Sequence, residues 1–312
     1  MKTTDFSYWI TLAHLPNWKT ARIYNLLVDI GYNHKILFED FFSRDIATLK
    51  KDFALSTKES EDILRARDNL QNNSFLAEEL ISERVELVSF DSPEYPITLR
   101  NNLGTKYSPP LLYAKGNTKL FFEDKVAIVG SRNVSGKGAE FTKQIARKCA
   151  SGNKVVISGY ARGVDRIALE TAIENNGMGI VILPQGIMTF KSGFKKLYKY
   201  IIGGRVLVVS AYPPKAGWSV GFAMGRNAYI YGLAEEIYVA ESDNKGGTWN
   251  GAIDGLGKGR KIFVRKATSE EKCANNELIA KGAIAVDDFG NVTKEAGNYD
   301  KGTIQKTLLE IP

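Results

Sequence analysis

Six short apolar runs punctuate the chain after residue 125, at 126–129, 155–158, 179–183, 206–209, 236–239 and 261–264. They are separated by segments long enough for a helix. Unbroken apolar runs of this length read as strands buried on both faces, and their alternation with helix-length segments predicts a mostly parallel, doubly wound sheet. Residues 5–77 follow another period. Apolar positions there recur three and four apart, in Ile23, Leu26, Leu27 and Ile30 and again in Ile46, Leu49 and Phe53, which predicts helices, with Gly31 as a helix stop. Between the two regions, residues 85–90 read as a short strand. Pro93, Pro96, Pro109 and Pro110 read as the punctuation of a linker, and residues 85–120 as the source of an antiparallel edge on the sheet. The expected fold class is α/β: a Rossmann-like, mostly parallel doubly wound sheet over residues 81–290, a small all-α N-terminal domain over 1–80, and a loose polar tail over 291–312.

The stretch VAIVGSRNVSGKGAEFTKQIARKCASGNKVVISGYARGVD, residues 126–165, adds candidate chemistry to this frame. Its two strands stop at glycine turns, each with an arginine: Gly130, Ser131 and Arg132 in the first, Gly159, Arg162 and Gly163 in the second. In a parallel sheet both turns lie on the carboxyl edge, where α/β proteins place ligands, and each opens a helix whose free amides suit an anion. Gly246, Gly247 and Thr248 after the run at 236–239 form a third turn of that type, and Arg226 with Asn227 is expected to open a helix facing the same edge. The spacing matches neither a G-x-G-x-x-G dinucleotide fingerprint nor a GK[ST] phosphate loop. Glu241 and Asp254, the carboxylates nearest this edge, lack a companion nucleophile and read as solvated or capping groups.

Composition narrows the function classes. The chain has 312 residues, 44% of them apolar, and a formal charge of +7, which favours an anionic partner. Its two histidines, His14 and His34, lie far upstream of the glycine turns, leaving the α/β region without the usual general base. Cys149 and Cys273 belong to no CxxC or Cys/His cluster. Binding is therefore expected rather than catalysis, with no metal and no cofactor. No apolar run approaches the roughly 20 residues needed to cross a bilayer, and residues 1–9 lack the pattern of a leader, so a soluble, cytoplasmic protein is expected.

Two further segments carry charge near apolar rings. In residues 187–200, Lys191, Lys195, Lys196 and Lys199 interleave with Phe190, Phe194, Tyr198 and Tyr200. Such a pattern suits single-stranded nucleic acid, with ammonium groups on the backbone and rings on the bases, or else a helix with rings in the core and lysines in water. Lys191 and Lys195 are added to the candidate site on the charge argument. LPNWKTARIYNLL, residues 15–27, is similar to a degenerate helix-hairpin-helix; because Pro16-Asn17 stands where such hairpins carry glycine, a helical bundle packed on the main domain is the favoured reading.

Taken in order, VGSR (129–132), SGYARGVD (158–165), GRN (225–227), GGT (246–248) and NNELIAKGA (275–283) resemble the motif set of the DNA-processing protein A family, DprA or Smf. DSPEYPITL (91–99) and SPPLLYAKG (108–116) resemble the segment leading into that family's Rossmann-like domain, and the helical start resembles its sterile-alpha-like domain. The resemblance implies a non-enzymatic protein that binds single-stranded DNA, forms a homodimer and helps load a RecA-type recombinase, as in natural transformation and competence. By position, the DNA would meet Gly130, Ser131, Arg132, Gly159, Arg162, Gly163, Arg226, Asn227, Gly246, Gly247 and Thr248. The chain departs from the family pattern in having Leu169 near the place of a histidine after GVD, Ala228 in place of a second arginine, and Ser210-Ala211 in place of serine-glutamate. No winged-helix domain is expected after Val286. The departures keep a second reading open, a nucleotide or nucleotide-signal sensor of the same superfamily, serving defence against foreign DNA. A phosphoribohydrolase ranks lower, because Trp249-Asn250-Gly251-Ala252 follows Gly246-Gly247-Thr248 without the acid such enzymes place there.

Overall fold

The computed structural model describes residues 5–293. The expected tail at 291–312 therefore lies almost wholly outside the described residues. Within them, nine strands form one sheet in the order β1-β2-β6-β5-β4-β3-β7-β8-β9. The seven from β6 (Val206–Ser210) through β5 (Met178–Ile182), β4 (Val155–Ser158), β3 (Lys125–Val129), β7 (Glu236–Val239) and β8 (Lys261–Arg265) to β9 (Ile284–Val286) run parallel. β1 (Glu86–Ser89) and β2 (Leu111–Gly116) add the antiparallel edge, β2 pairing with both β1 and β6. The central strands are buried at every position, which is why their sequences are unbroken apolar runs.

The linker and the stop at Gly31 are corrected. Pro109-Pro110 does not end structure but delivers the chain into β2, where Leu111 to Ala114 are buried, and Tyr95 donates from its hydroxyl to the Pro109 carbonyl at 2.8 Å. Gly31 lies inside a π-type turn, Asp29–Asn33, that continues α2 (Thr20–Val28); the chain turns away after His34, at Lys35, where φ is +53°. β9 was not anticipated: three residues are too few to show a period.

The N-terminal helices are α1 (Phe6–Ala13), α2, α3 (Phe38–Phe42), α4 (Ile46–Asp52), α5 (Thr57–Asp68) and α6 (Leu70–Ser82), and α7 (Ile97–Leu103) follows between β1 and β2. Their apolar faces share one continuous core with the sheet. The turn between α1 and α2 uses Asn17 at φ +65°, an asparagine in a conformation that glycine usually takes. Its Arg22 is not free for a phosphate in the way a hairpin motif needs. Arg22 donates to Glu59 at 2.7 Å and to the Ala54 carbonyl at 3.1 Å, and lies over the Trp18 ring. The bundle therefore uses Arg22 for its own packing. At the junction with the sheet, His14 Nε2 is 2.8 Å from the Tyr113 hydroxyl, and burial pushes the imidazole pKa down to about 4.

Candidate nucleic-acid interface

Four polypeptide segments meet at the carboxyl ends of β3, β4 and β7. The turn after β3 leads into α8 (Gly136–Ser151), the turn after β4 into α9 (Val164–Glu174), and the turn after β7 into α12 (Gly247–Gly257), while α11 (Val220–Leu233) crosses beside them. Between them lies a cavity of about 360 Å³, lined among others by Gly130, Ser131, Arg132, Arg162, Arg226, Asn227, Gly246, Gly247 and Thr248. Nine residues singled out from the sequence thus come together.

The first two turns are stitched to one another. The amide of Val164 donates to the Ser131 carbonyl at 3.2 Å and the amide of Ser131 to the Glu241 carbonyl at 2.9 Å. Arg162 donates from Nε to the Arg132 carbonyl at 3.3 Å and from Nη2 to the Asn133 side chain. That approach explains two of the glycines. A Cβ on Gly130 would meet Val164 at 2.6 Å, and one on Gly163, which sits at φ +86°, would meet the Ser131 carbonyl at 2.3 Å. Gly163 therefore lets the second turn lie against the first rather than touching a ligand itself.

Arg226 departs furthest from expectation. It does not open a helix: α11 starts at Val220, capped by Ser219 accepting from the Phe222 amide at 3.0 Å, so Arg226 and Asn227 lie in its second turn. The guanidinium is 4% exposed and pairs with Asp165 at 3.4 Å. It packs flat over Gly159, where a Cβ would stand 1.4 Å from Nη1. Gly159 is thus a seat for Arg226, whose side chain also forms part of the cavity lining. Burial raises the Asp165 carboxyl above the usual carboxylate range, opposed by Arg226 and by amides of Ala161 and Gly159. Asp165, quoted in the GVD motif but assigned no role, is the brace that holds the second turn and α11 together.

The three helix N-termini also differ. At α8, Ser135 accepts from the Gly138 amide at 3.1 Å, and the Glu241 carboxylate accepts from the Ser135 amide at 3.1 Å and from its hydroxyl. Glu241 is therefore a cap, one of the two roles expected of it, and it occupies the anion position there. The start of α12 has neither a side-chain cap nor an acidic residue in its first turn, and Gly246, Gly247 and Thr248 line the cavity. Lys245 stands beside them, exposed. The wall behind is fixed by the NNELIAKGA motif, whose buried Asn275 accepts from the Ser242 amide at 2.9 Å and donates to the Ala240 and Arg265 carbonyls at 3.0 and 2.8 Å.

With Arg226 neutralised by Asp165, the remaining charged groups lining the cavity are Arg132, Arg162 and Lys245 against Asp243. All three cations are exposed, so they are hydrated and can meet an anion without a large desolvation cost. Lys245, Asn133, Trp218, Val220 and Met224 also line the cavity and were missed in the sequence. Lys245 borders the GGT motif and was within reach of the same argument; the others lie in loops and helix starts with no motif.

Lys191 and Lys195 do not line this cavity. They lie on α10 (Lys191–Ile202) after β5, and Lys191 lines a separate cavity with Lys115 and Lys215, which pair with Glu83 at 3.0 Å and Glu79 at 2.8 Å. Phe190, Phe194 and Tyr200 pack against the core and Tyr198 is exposed, so most of the rings follow the bland alternative, a helix with its rings inward and lysines outward. Among the described residues no cluster of His, Cys, Asp and Glu could hold a metal, and no helix is long and apolar enough to cross a membrane.

Fold and cavity together define a class: a doubly wound α/β protein with a cationic cavity at the carboxyl edge of its sheet. The chain belongs to the DNA recombination-mediator protein A family, whose model matches residues 86–297. It is similar to the DNA processing protein DprA of Streptococcus pneumoniae, 30% identical over 190 residues covering 60% of this chain and 67% of that one. The DprA of Bacillus subtilis is 25% identical over 206 residues, covering 65% and 68%. Among solved structures, that of the Streptococcus pneumoniae DNA processing protein A superposes with a TM-score of 0.73 at 24% identity over 92% of this chain and 95% of that one. A Helicobacter pylori DNA processing protein A, whose structure describes a single-stranded DNA binding mode, gives 0.56 at 26% identity over 65% and 90%.

Proposed function

We propose that this protein binds single-stranded DNA without altering it, holding the sugar-phosphate backbone in the cavity at the carboxyl edge of the sheet. The observation that carries the reading is the convergence of Arg132, Arg162 and Lys245 with the uncapped start of α12 on one 360 Å³ cavity. Guanidinium and ammonium groups aimed at a shared space, with backbone amides behind them, suit successive phosphates and make no demand on sequence. Single-stranded DNA binding in the Helicobacter pylori relative supports it. We place handover of the strand to a RecA-type recombinase, action as a homodimer, and a role in transformation, recombination or repair on the family relationship. Catalysis forms no part of the reading: His14, a half-buried histidine, lies at the α1–β2 junction, Glu241 is engaged as a cap and Asp165 in an ion pair.

A cavity of this volume also has room for one nucleotide, which is why the sensor reading is the rival to exclude. Titrating labelled single-stranded oligonucleotide, duplex of the same length and mononucleotides in one buffer separates the two. Tightest binding to the single strand is expected; tightest binding to a mononucleotide overturns the proposal in favour of the sensor.

A further inference from the structure

The rim of the cavity formed by the start of α11 is apolar. Trp218, Val220 and Met224 line it and are 54%, 67% and 46% exposed, although most rings of this chain are packed into its core. Among the described residues the Trp218 ring meets no other ring or cation. The backbone on either side of Trp218 is anchored. On one, the Ala216 carbonyl accepts from the Gly186 amide at 2.8 Å and the Thr189 hydroxyl at 3.1 Å; on the other, Ser219 caps α11. A large apolar surface is thus presented to solvent by an anchored loop, beside a cavity whose remaining charges are mainly cationic.

We propose that Trp218, flanked by Val220 and Met224, is a stacking platform for an unpaired nucleobase of a strand whose phosphates lie on Arg132, Arg162 and Lys245. The occupant follows from charge and shape together. A polyanion drawn to those cations carries flat apolar faces a few ångströms from its phosphates, and an exposed indole on an anchored loop offers such a face a stacking surface. Duplex DNA turns its base faces inward and offers the ring nothing, so the platform selects single strands. This inference rests on the reading of the cavity as a backbone site and adds the base to it.

The test compares a single-stranded oligonucleotide with an abasic sugar-phosphate strand of equal length, against the full chain, Trp218→Ala and Trp218→Phe. Removing one stacking surface is expected to weaken oligonucleotide binding by roughly tenfold in Trp218→Ala. Abasic-strand binding changes less than about twofold on that reasoning, and Trp218→Phe recovers most of the loss. Tryptophan fluorescence should fall on adding the oligonucleotide and lose that response in Trp218→Ala, although Trp9, Trp18 and Trp249 remain. Equal affinity of Trp218→Ala and the parent for the oligonucleotide overturns the platform, as does an equal loss for both strands. Failure of the parent to bind either strand overturns the backbone reading as well, so the two failures are told apart.

Discussion

Replacing Gly159 by alanine tests whether the second glycine turn is shaped around Arg226. The added Cβ would stand 1.4 Å from Nη1, so the guanidinium must leave its seat and separate from Asp165, 3.4 Å away. Stripping a buried carboxylate of its partner costs about 3–5 kcal/mol when nothing compensates. Here the backbone amides of residues 159 and 161 still donate to Asp165 and offset part of that cost. A loss of about 2–3 kcal/mol in folding free energy is therefore expected at pH 7.5, read by urea denaturation. The sign with pH follows from the raised carboxyl. The deficit is full while Asp165 is charged and shrinks as pH falls through its folded-state pKa. Gly159→Ala made in an Arg226→Ala background should cost under about 1 kcal/mol, because the clashing group is gone and the two effects are strongly coupled. Additive losses, or a Gly159→Ala variant as stable as the parent, would refute the seat.

His14 should make the fold sensitive to acid: with its pKa lowered to about 4 the folded state excludes a proton that the unfolded chain takes up below pH 6.5, so stability falls between pH 6.5 and 4. The contribution is at most about 3 kcal/mol, less to the extent that the cavity His14 lines admits water, and His14→Gln should flatten the pH dependence of the urea midpoint. Asn275→Ala removes the partner of one amide and two carbonyls, and thermal or urea unfolding should show a loss of about 2–4 kcal/mol. Lys191→Ala, on the separate cavity after β5, should weaken oligonucleotide binding less than Arg132→Ala, since it removes only a long-range charge; an equal or larger effect would move the strand's path to α10.

The parallel strands were legible because burial on both faces leaves a run such as Val126 to Val129 no polar alternate, and the motifs were legible because glycine and arginine are conspicuous at strand ends. What could not be read is which side chain a glycine accommodates. Gly159 and Gly163 looked like ligand contacts, yet one seats Arg226 and the other lies against the Ser131 carbonyl, both across turns distant in sequence. Arg226 carries the same charge as Arg132, and only the buried Asp165 beside it separates a brace from an exposed cation. Trp218 escaped notice because its exposure depends on the loop that the Ala216 carbonyl anchors, and composition carries no trace of that. Pro109-Pro110 misled for a local reason: proline bars only its own amide from a ladder, and β2 begins at the next residue.

The most direct measurement is the salt dependence of single-stranded oligonucleotide binding in the parent, Arg132→Ala, Arg162→Ala and the double variant. Each single change is expected to weaken binding by about 1–3 kcal/mol and to lower the slope of log affinity against log salt by about 0.7 for each phosphate that is no longer neutralised. Affinities and slopes that match the parent's in all three variants would contradict a strand held at this cavity.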